Sequence, residues 1–199
     1  MALNDTDLVM LAKAAPDRAA FDGLVRRHQA GLRAFLRKLG VDAAQADDLA
    51  QDTFIKALRS LQTYRGGASF RSWLYAIAWR EFLQGARSEK SRTRLSEAVA
   101  AESEGDLAQG TGDFSLDLQR ALATLDDTER AAVLLCDAVG LSHGEASVTL
   151  GAPLGSVKTY VARAREKLRA FLEAETPRTD HPRLVSENLT TDNGVRHAV

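Results

Sequence analysis

The chain has 199 residues, 45% hydrophobic and 27% charged, with a formal net charge of −1. That is enough chain for one large or two small cores, with the composition of a globular protein. No apolar run is long enough to span a bilayer, Met1-Ala2-Leu3-Asn4-Asp5 lacks the order of a signal peptide, and a single cysteine, Cys136, excludes an intramolecular disulfide. Strand-like alternation and β-branched runs are scarce, so the expected fold class is all-α: two small helical domains joined by a flexible linker.

A short helix is expected near residues 3–14. The next runs from about Asp17 to Leu39, with Phe21, Leu24, Val25, His28, Leu32, Phe35 and Leu36 at helical spacing and Gly40 as its stop; His28 on that stripe reads as a packed core residue. A further helix spans about Ala44 to Leu61, with Leu49, Phe54, Leu58 and Leu61 turned inward. Asp47, Asp48, Gln51 and Asp52 decorate its outer side near the N-terminus, where the helix dipole favours carboxylates. The loop 62–69 follows, then a helix from about Phe70 to Arg87.

That last helix carries two aromatic stripes. Phe70, Trp73, Leu74 and Ile77 form one; Tyr75, Trp79 and Phe82 form a second, nearly opposite. Arg65, Arg71, Arg80, Arg87, Lys90 and Arg92 surround them. Exposed rings among cations suit single-stranded nucleic acid, whose bases stack for about 1–3 kcal/mol each. Burial of both stripes in a bundle is the competing reading, and composition does not choose between them.

Charge is distributed unevenly. Residues 1–92 carry 15 Lys/Arg against 10 Asp/Glu, whereas 93–115 carry one Arg against five acids. The latter stretch is acidic and rich in Gly and Ser, and reads as the linker. The second domain is expected over 116–175, with seven bases against nine acids, and the polar tail 176–199 reads as disordered. Near-neutral charge implies modest non-specific DNA affinity, since that term follows the number of phosphates neutralised.

The second domain contains the most specific local signal. Asp126 with Glu129 caps one helix. Ser142 with Glu145 makes a capping box for the next, Gly151 supplies the left-handed residue that ends it, and Pro153 stands where a following helix can open. In that last helix Val157, Val161, Ala164 and Leu168 form an apolar stripe. Ser156, Thr159 and Arg163 lie opposite, with Lys158, Arg165 and Arg169 to one side. This is a helix-turn-helix whose second helix has short polar groups and an Arg for base edges, and flanking cations for phosphates.

Taken in order, these pieces resemble a bacterial RNA polymerase sigma factor of the extracytoplasmic-function (ECF) class. The segment 47–57 is similar to the family helix that docks on the β′ clamp helices of polymerase. The segment 64–78 resembles the loop and helix that open the minus-ten element, and 151–168 the helix that reads the minus-thirty-five element. The resemblance implies polymerase contacts at Asp47, Asp48, Gln51, Asp52, Phe54 and Ile55. It implies minus-ten contacts at Tyr64, Arg65, Ser69, Phe70, Arg71, Trp79 and Arg80, and minus-thirty-five contacts at Ser156, Lys158, Thr159, Tyr160, Arg163 and Arg165. Residues 1–92 and 116–175 then correspond to sigma domains 2 and 4. Two departures stand out: Trp79, Arg80 and Gln84 replace the family's usual Arg-Asn pair and later Asp, and Tyr160 stands where an Arg is common.

The implied partners are core RNA polymerase, through its β′ clamp helices and β subunit, promoter DNA and an anti-sigma factor, in the cytoplasm without membrane insertion. The alternatives are a sigma-like mimic that titrates an anti-sigma factor and a stand-alone helix-turn-helix regulator. His28, His143, His181 and His197 are scattered, and Gly66-Gly67 lacks phosphate-loop spacing, so no enzyme, metal or cofactor is expected.

Overall fold

The computed structural model describes residues 3–14, 18–96 and 113–175. Among these residues all regular structure is helical. The elements are α1 (Asp5–Ala14), α2 (Arg18–Lys38), α3 (Ala43–Ser60), a 3-10 turn (Leu61–Thr63), α4 (Phe70–Ser96), α5 (Asp113–Ala123), α6 (Asp127–Val133) continuing into a π-helical turn (Leu134–Ala138), α7 (His143–Leu150) and α8 (Leu154–Glu175).

The first four helices make one bundle, with α2 against α1, α3 and α4. Its apolar positions recur every three to four residues, so Leu24, Leu32 and Leu36 are fully buried. The Asp42 side chain accepts from the Gln45 backbone N–H at 2.8 Å and starts α3. Along α3, Ala46, Ala50, Thr53 and Ala57 face inward, and these small side chains let the helices approach closely.

Both aromatic stripes of α4 are substantially packed. Phe70, Tyr75, Trp79 and Phe82 are buried and Trp73 is half-buried. Tyr75 meets Phe35 edge-on at 5.1 Å, and Trp79 stacks on Phe82 at 5.5 Å. The second stripe therefore serves the core, because α4 has helices on two sides. The helix also continues to Ser96, past the expected end of the first domain, and α5 begins at Asp113 rather than near Ser115. The linker expected over 93–115 is thus helical at both margins; 97–112 and the tail 176–199 lie outside the described residues.

In the second domain each expected stop and start is present. Asp126 accepts from the Thr128 and Glu129 N–H groups, Ser142 and Glu145 form the reciprocal box, and Gly151 has φ +64°. Glu129 is buried beneath Lys167, whose ammonium donates to it at 2.6 Å. Arg130 collects three carbonyls: Leu122 at 2.8 Å, Leu125 at 2.9 Å and, from the first domain, Leu39 at 2.6 Å. Gly40, next to Leu39, has φ +107°, and a Cβ there would stand 3.0 Å from Arg130 Nη1.

The two domains pack together, α7 against the first half of α4 and the π-helical turn against α2. The seam is polar at its centre. Ser72 and Thr149, both fully buried, face each other at 3.0 Å between hydroxyls. Ser72 donates to the Glu145 carbonyl at 3.2 Å, and Thr149 lies 3.2 Å from the Ser72 carbonyl. At its rim the Ser69 hydroxyl donates to the Glu145 carboxylate at 2.7 Å.

Candidate functional site

Three surfaces carry the sequence-predicted residues. The first is a groove of about 400 Å³ between α2 and α3, lined by Val25, Gln29, Arg33, Asp48, Gln51 and Ile55 among others. Asp48, Gln51 and Asp52 are exposed, Ile55 is 39% exposed beside them, and Leu58, expected on the inner side of the helix, is instead 52% exposed. Apolar side chains left open between carboxylates fit a partner that offers both cations and apolar contacts. Phe54 is buried, so it shapes the groove floor rather than projecting from it. Asp47 also lines the groove, exposed and paired with Arg33 at 3.1 Å and Arg37 at 3.8 Å.

The second surface is the loop between the 3-10 turn and α4. Gly66 has φ +74°, a conformation side chains disfavour. The Tyr64 hydroxyl donates to the Ala68 carbonyl and closes the loop on itself. Ser69 caps α4, its oxygen accepting from the Ser72 N–H at 3.2 Å. Tyr64, Phe70 and Trp73 pack as a ring cluster with centroids 5.1–6.1 Å apart.

Alongside lies an open cleft of about 850 Å³, lined by Met10, Lys13, Arg65, Gly67, Phe70 and Glu145 among others. Its α1 wall was not evident from sequence. Lys13 donates to the Tyr64 carbonyl at 2.8 Å, and Gln62 to the Lys13 carbonyl at 3.2 Å, so α1 holds the base of the loop. At the other end of α1, Asp5 pairs with Arg27 at 2.5 Å and with His28 at 2.8 Å. Burial alone would raise the Asp5 pKa, but the Arg27 hydrogen bond and the charges of His28 and Arg27 outweigh it and hold it below its ordinary value. Burial, with a smaller push from Asp5, raises the Tyr64 pKa, so its hydroxyl stays a donor.

Arg65 and Arg80 are exposed, and Arg71 is half-exposed with its guanidinium 3.4 Å from the Gly140 carbonyl. Trp79 must be removed from the expected DNA contacts. At 4% exposure, and stacked on Phe82, it has no free ring face to offer a base. Phe70 is 3% exposed and reaches the cleft only as part of its wall.

The third surface is α8. Val157, Val161 and Ala164 are fully buried, which turns Lys158, Thr159 and Arg163 to solvent, with Ser156 and Tyr160 half-exposed. Thr159 donates back to the Gly155 carbonyl at 3.0 Å. Arg165 makes a two-pronged pair with Asp137 at 2.6 and 3.0 Å, so the guanidinium expected on phosphate is held within the domain here. That pairing also raises its pKa.

Comparison with known proteins accounts for this arrangement. Residues 24–92 match the family model for Sigma-70 region 2, and residues 115–168 that for Sigma-70 region 4. The chain belongs to the sigma factors of bacterial RNA polymerase. Within them it is an ECF-class factor. It is 36% identical to the ECF RNA polymerase sigma factor SigE of Mycolicibacterium smegmatis, over 83% of this chain and 68% of that one. It is 32% identical to the RNA polymerase sigma factor CnrH of Cupriavidus metallidurans, over 86% and 97%. Among solved structures it resembles the sigma factor RpoE of Bartonella quintana in complex with the anti-sigma factor NepR. The TM-score is 0.68 at 30% identity, covering 78% of this chain and 98% of that one. These matches disfavour the stand-alone regulator and the mimic.

Proposed function

We propose that the protein acts by binding alone, seating core RNA polymerase on a promoter and helping to open it, with the work divided among the three surfaces. The α2–α3 groove takes the polymerase clamp, with Asp48, Gln51 and Asp52 offering acceptors and Ile55 and Leu58 the apolar contact. On the polymerase, α8 enters the upstream major groove. Ser156, Thr159 and Arg163 face base edges there, Lys158 and Tyr160 face the backbone, and Arg165 reaches phosphate by exchanging its Asp137 partner. The loop 64–69 captures a non-template base. Unstacking that base costs a few kcal/mol, offset by the Tyr64–Phe70–Trp73 wall and by Arg65, Arg71 and Arg80 on phosphates.

The observation that carries this reading is the loop itself. Its carbonyls are fastened to Tyr64 and Lys13, and an open cleft walled by rings lies beside it. A protein partner of the anti-sigma kind, as in the RpoE complex, is part of the proposal, and the site of action is the cytoplasm, where polymerase works.

The test is transcription from a cognate promoter with core polymerase, with opening followed by permanganate reactivity of thymines. Tyr64→Ala is expected to leave the closed complex intact and to reduce opening. Asp48→Lys is expected to abolish co-purification with core enzyme. Unchanged opening by the first variant, or retained binding by the second, would move the function to other surfaces.

A further inference from the structure

We infer that the cavity bordered by α2, the first half of α4 and the π-helical turn is a binding site for a small organic phosphate, a phosphate monoester on a flat or apolar body the size of a nucleoside monophosphate. The cavity holds about 470 Å³, within the range of about 300–1,000 Å³ that small-molecule sites occupy. A bare phosphate would leave most of it to water. It shares no lining residue with the α2–α3 groove and only Asp5 with the loop cleft.

The observation that carries the inference is Tyr75. Its side chain is 3% exposed, yet its hydroxyl has no hydrogen-bond partner among the described residues and faces the cavity. Buried donors ordinarily find an acceptor, because one left without costs free energy. Gly31, itself on the cavity wall, makes room for the hydroxyl: a Cβ there would stand 3.0 Å from its oxygen. Burial pushes the Tyr75 pKa up to about 12, against a smaller pull from the Arg71 charge, so the group is a neutral donor at physiological pH.

Two cations flank that hydroxyl. Arg71 lies one turn before Tyr75 on α4, and Lys38 lies one turn after Phe35, whose ring meets Tyr75 edge-on. Lys38 has no partner among the described residues, and Arg71 has only the long 3.4 Å approach to the Gly140 carbonyl. Arg27 and His28, farther along α2, are committed to Asp5. The unopposed charge therefore gathers at the Lys38–Arg71 end. Three donors, two of them cationic, suit a head group with three oxygens and a charge of about −1.5 to −2; a carboxylate has only two oxygens to share among them.

Much of the remaining wall is apolar. Phe35 comes from α2, and the π-helical turn brings Leu134 and Ala138, with Val139 at its end. That wide turn, closed by the Val139 N–H donating to the Leu134 carbonyl at 2.9 Å, is a geometry found often at functional sites. Free charge at one end and carbon along the walls match an amphipathic anion.

The test is calorimetric titration of the full chain without polymerase or promoter, so it reads the cavity independently of the function proposed above. The probes are AMP, GMP, CMP and UMP, their nucleosides, and inorganic phosphate. At least one monophosphate should bind saturably, one per chain. Inorganic phosphate and the matching nucleoside should each bind at least ~10-fold more weakly, since each lacks one part of the recognition. Lys38→Met should weaken binding roughly 10-fold or more, as loss of a charged hydrogen bond does, and Tyr75→Phe, which keeps the ring, roughly 5-fold. Both should retain helical circular dichroism; if Tyr75→Phe loses its fold, Lys38→Met, at a half-buried position, carries the test. No saturable binding by any monophosphate, equal binding of inorganic phosphate, or unchanged affinity in Lys38→Met would overturn the site. Tighter binding of a short single-stranded oligothymidylate, lost in Lys38→Met, would also overturn it by placing the cavity on the DNA path.

Discussion

Arg130→Met removes three hydrogen bonds and leaves the aliphatic stem in place. The guanidinium donates to the Leu39, Leu122 and Leu125 carbonyls at 2.6–2.9 Å, and the side chain is only 13% exposed. These carbonyls end α2 and α5, where the helix leaves acceptors without intrahelical partners. A hydrogen bond from a charged donor contributes about 1.5–3 kcal/mol. Three such bonds, taken at the lower bound, bring the loss to about 4–5 kcal/mol. Arg130→Lys keeps the charge without the fork, reaches one carbonyl at a time and should recover less than half of it. Urea unfolding followed by circular dichroism measures both, read on the transition that the second domain contributes. A loss under about 1 kcal/mol for the Met variant would show that water replaces the guanidinium at all three carbonyls, and the anchoring role would be wrong.

Trp79→Ala should destabilise the first domain by about 3–5 kcal/mol, as truncation of a buried aromatic does; a stable variant with altered minus-ten preference would return Trp79 to the DNA surface. Arg163→Ala should weaken promoter binding by about 1–3 kcal/mol and blur preference at one upstream position, seen by titrating a set of single-base promoter variants with holoenzyme; equal loss on every sequence would make it a phosphate contact. The folded pKa of Asp5 lies below the ordinary 3.8, so its anchoring of α1 is complete above that pH and is lost as pH falls through the lowered value. Acid titration of the chain should release α1, read by proteolysis near residue 15, and Asp5→Asn should remove the acid dependence; a transition that persists in Asp5→Asn assigns it to another carboxylate.

The helix-turn-helix was legible because its determinants are local. Ser142, Glu145 and Gly151 act within a few residues of themselves, and they appear in the structure as capping box and left-handed stop. The same holds for the apolar face of α8 and for the core face of α2. What the sequence left open depends on neighbours far along the chain. The second stripe of α4 has helical spacing whether it faces core or solvent, and only the helices on both sides settle Trp79 as a core residue. Ser72 and Thr149 are 77 positions apart and ordinary in type, so nothing local marks them as a buried pair. The α1 wall of the cleft rests on Lys13 reaching a carbonyl 51 residues on, for which the sequence has no signal. The helix expected to stop near Arg87 persists to Ser96, into the stretch from 93 onward that read as linker because no apolar stripe accompanies it.

The length of α4 decides how widely the protein can straddle DNA. Its 27 residues make a rod of about 40 Å at ~1.5 Å per residue, so the chain leaves the first domain far from the loop at the other end. Sixteen residues separate Ser96 from Asp113, and a chain of that length covers no more than about 60 Å. Rod and tether together set an outer limit on promoter spacing. Lengthening the tether should widen the tolerated gap between elements, and trimming it should exclude the longer gaps first.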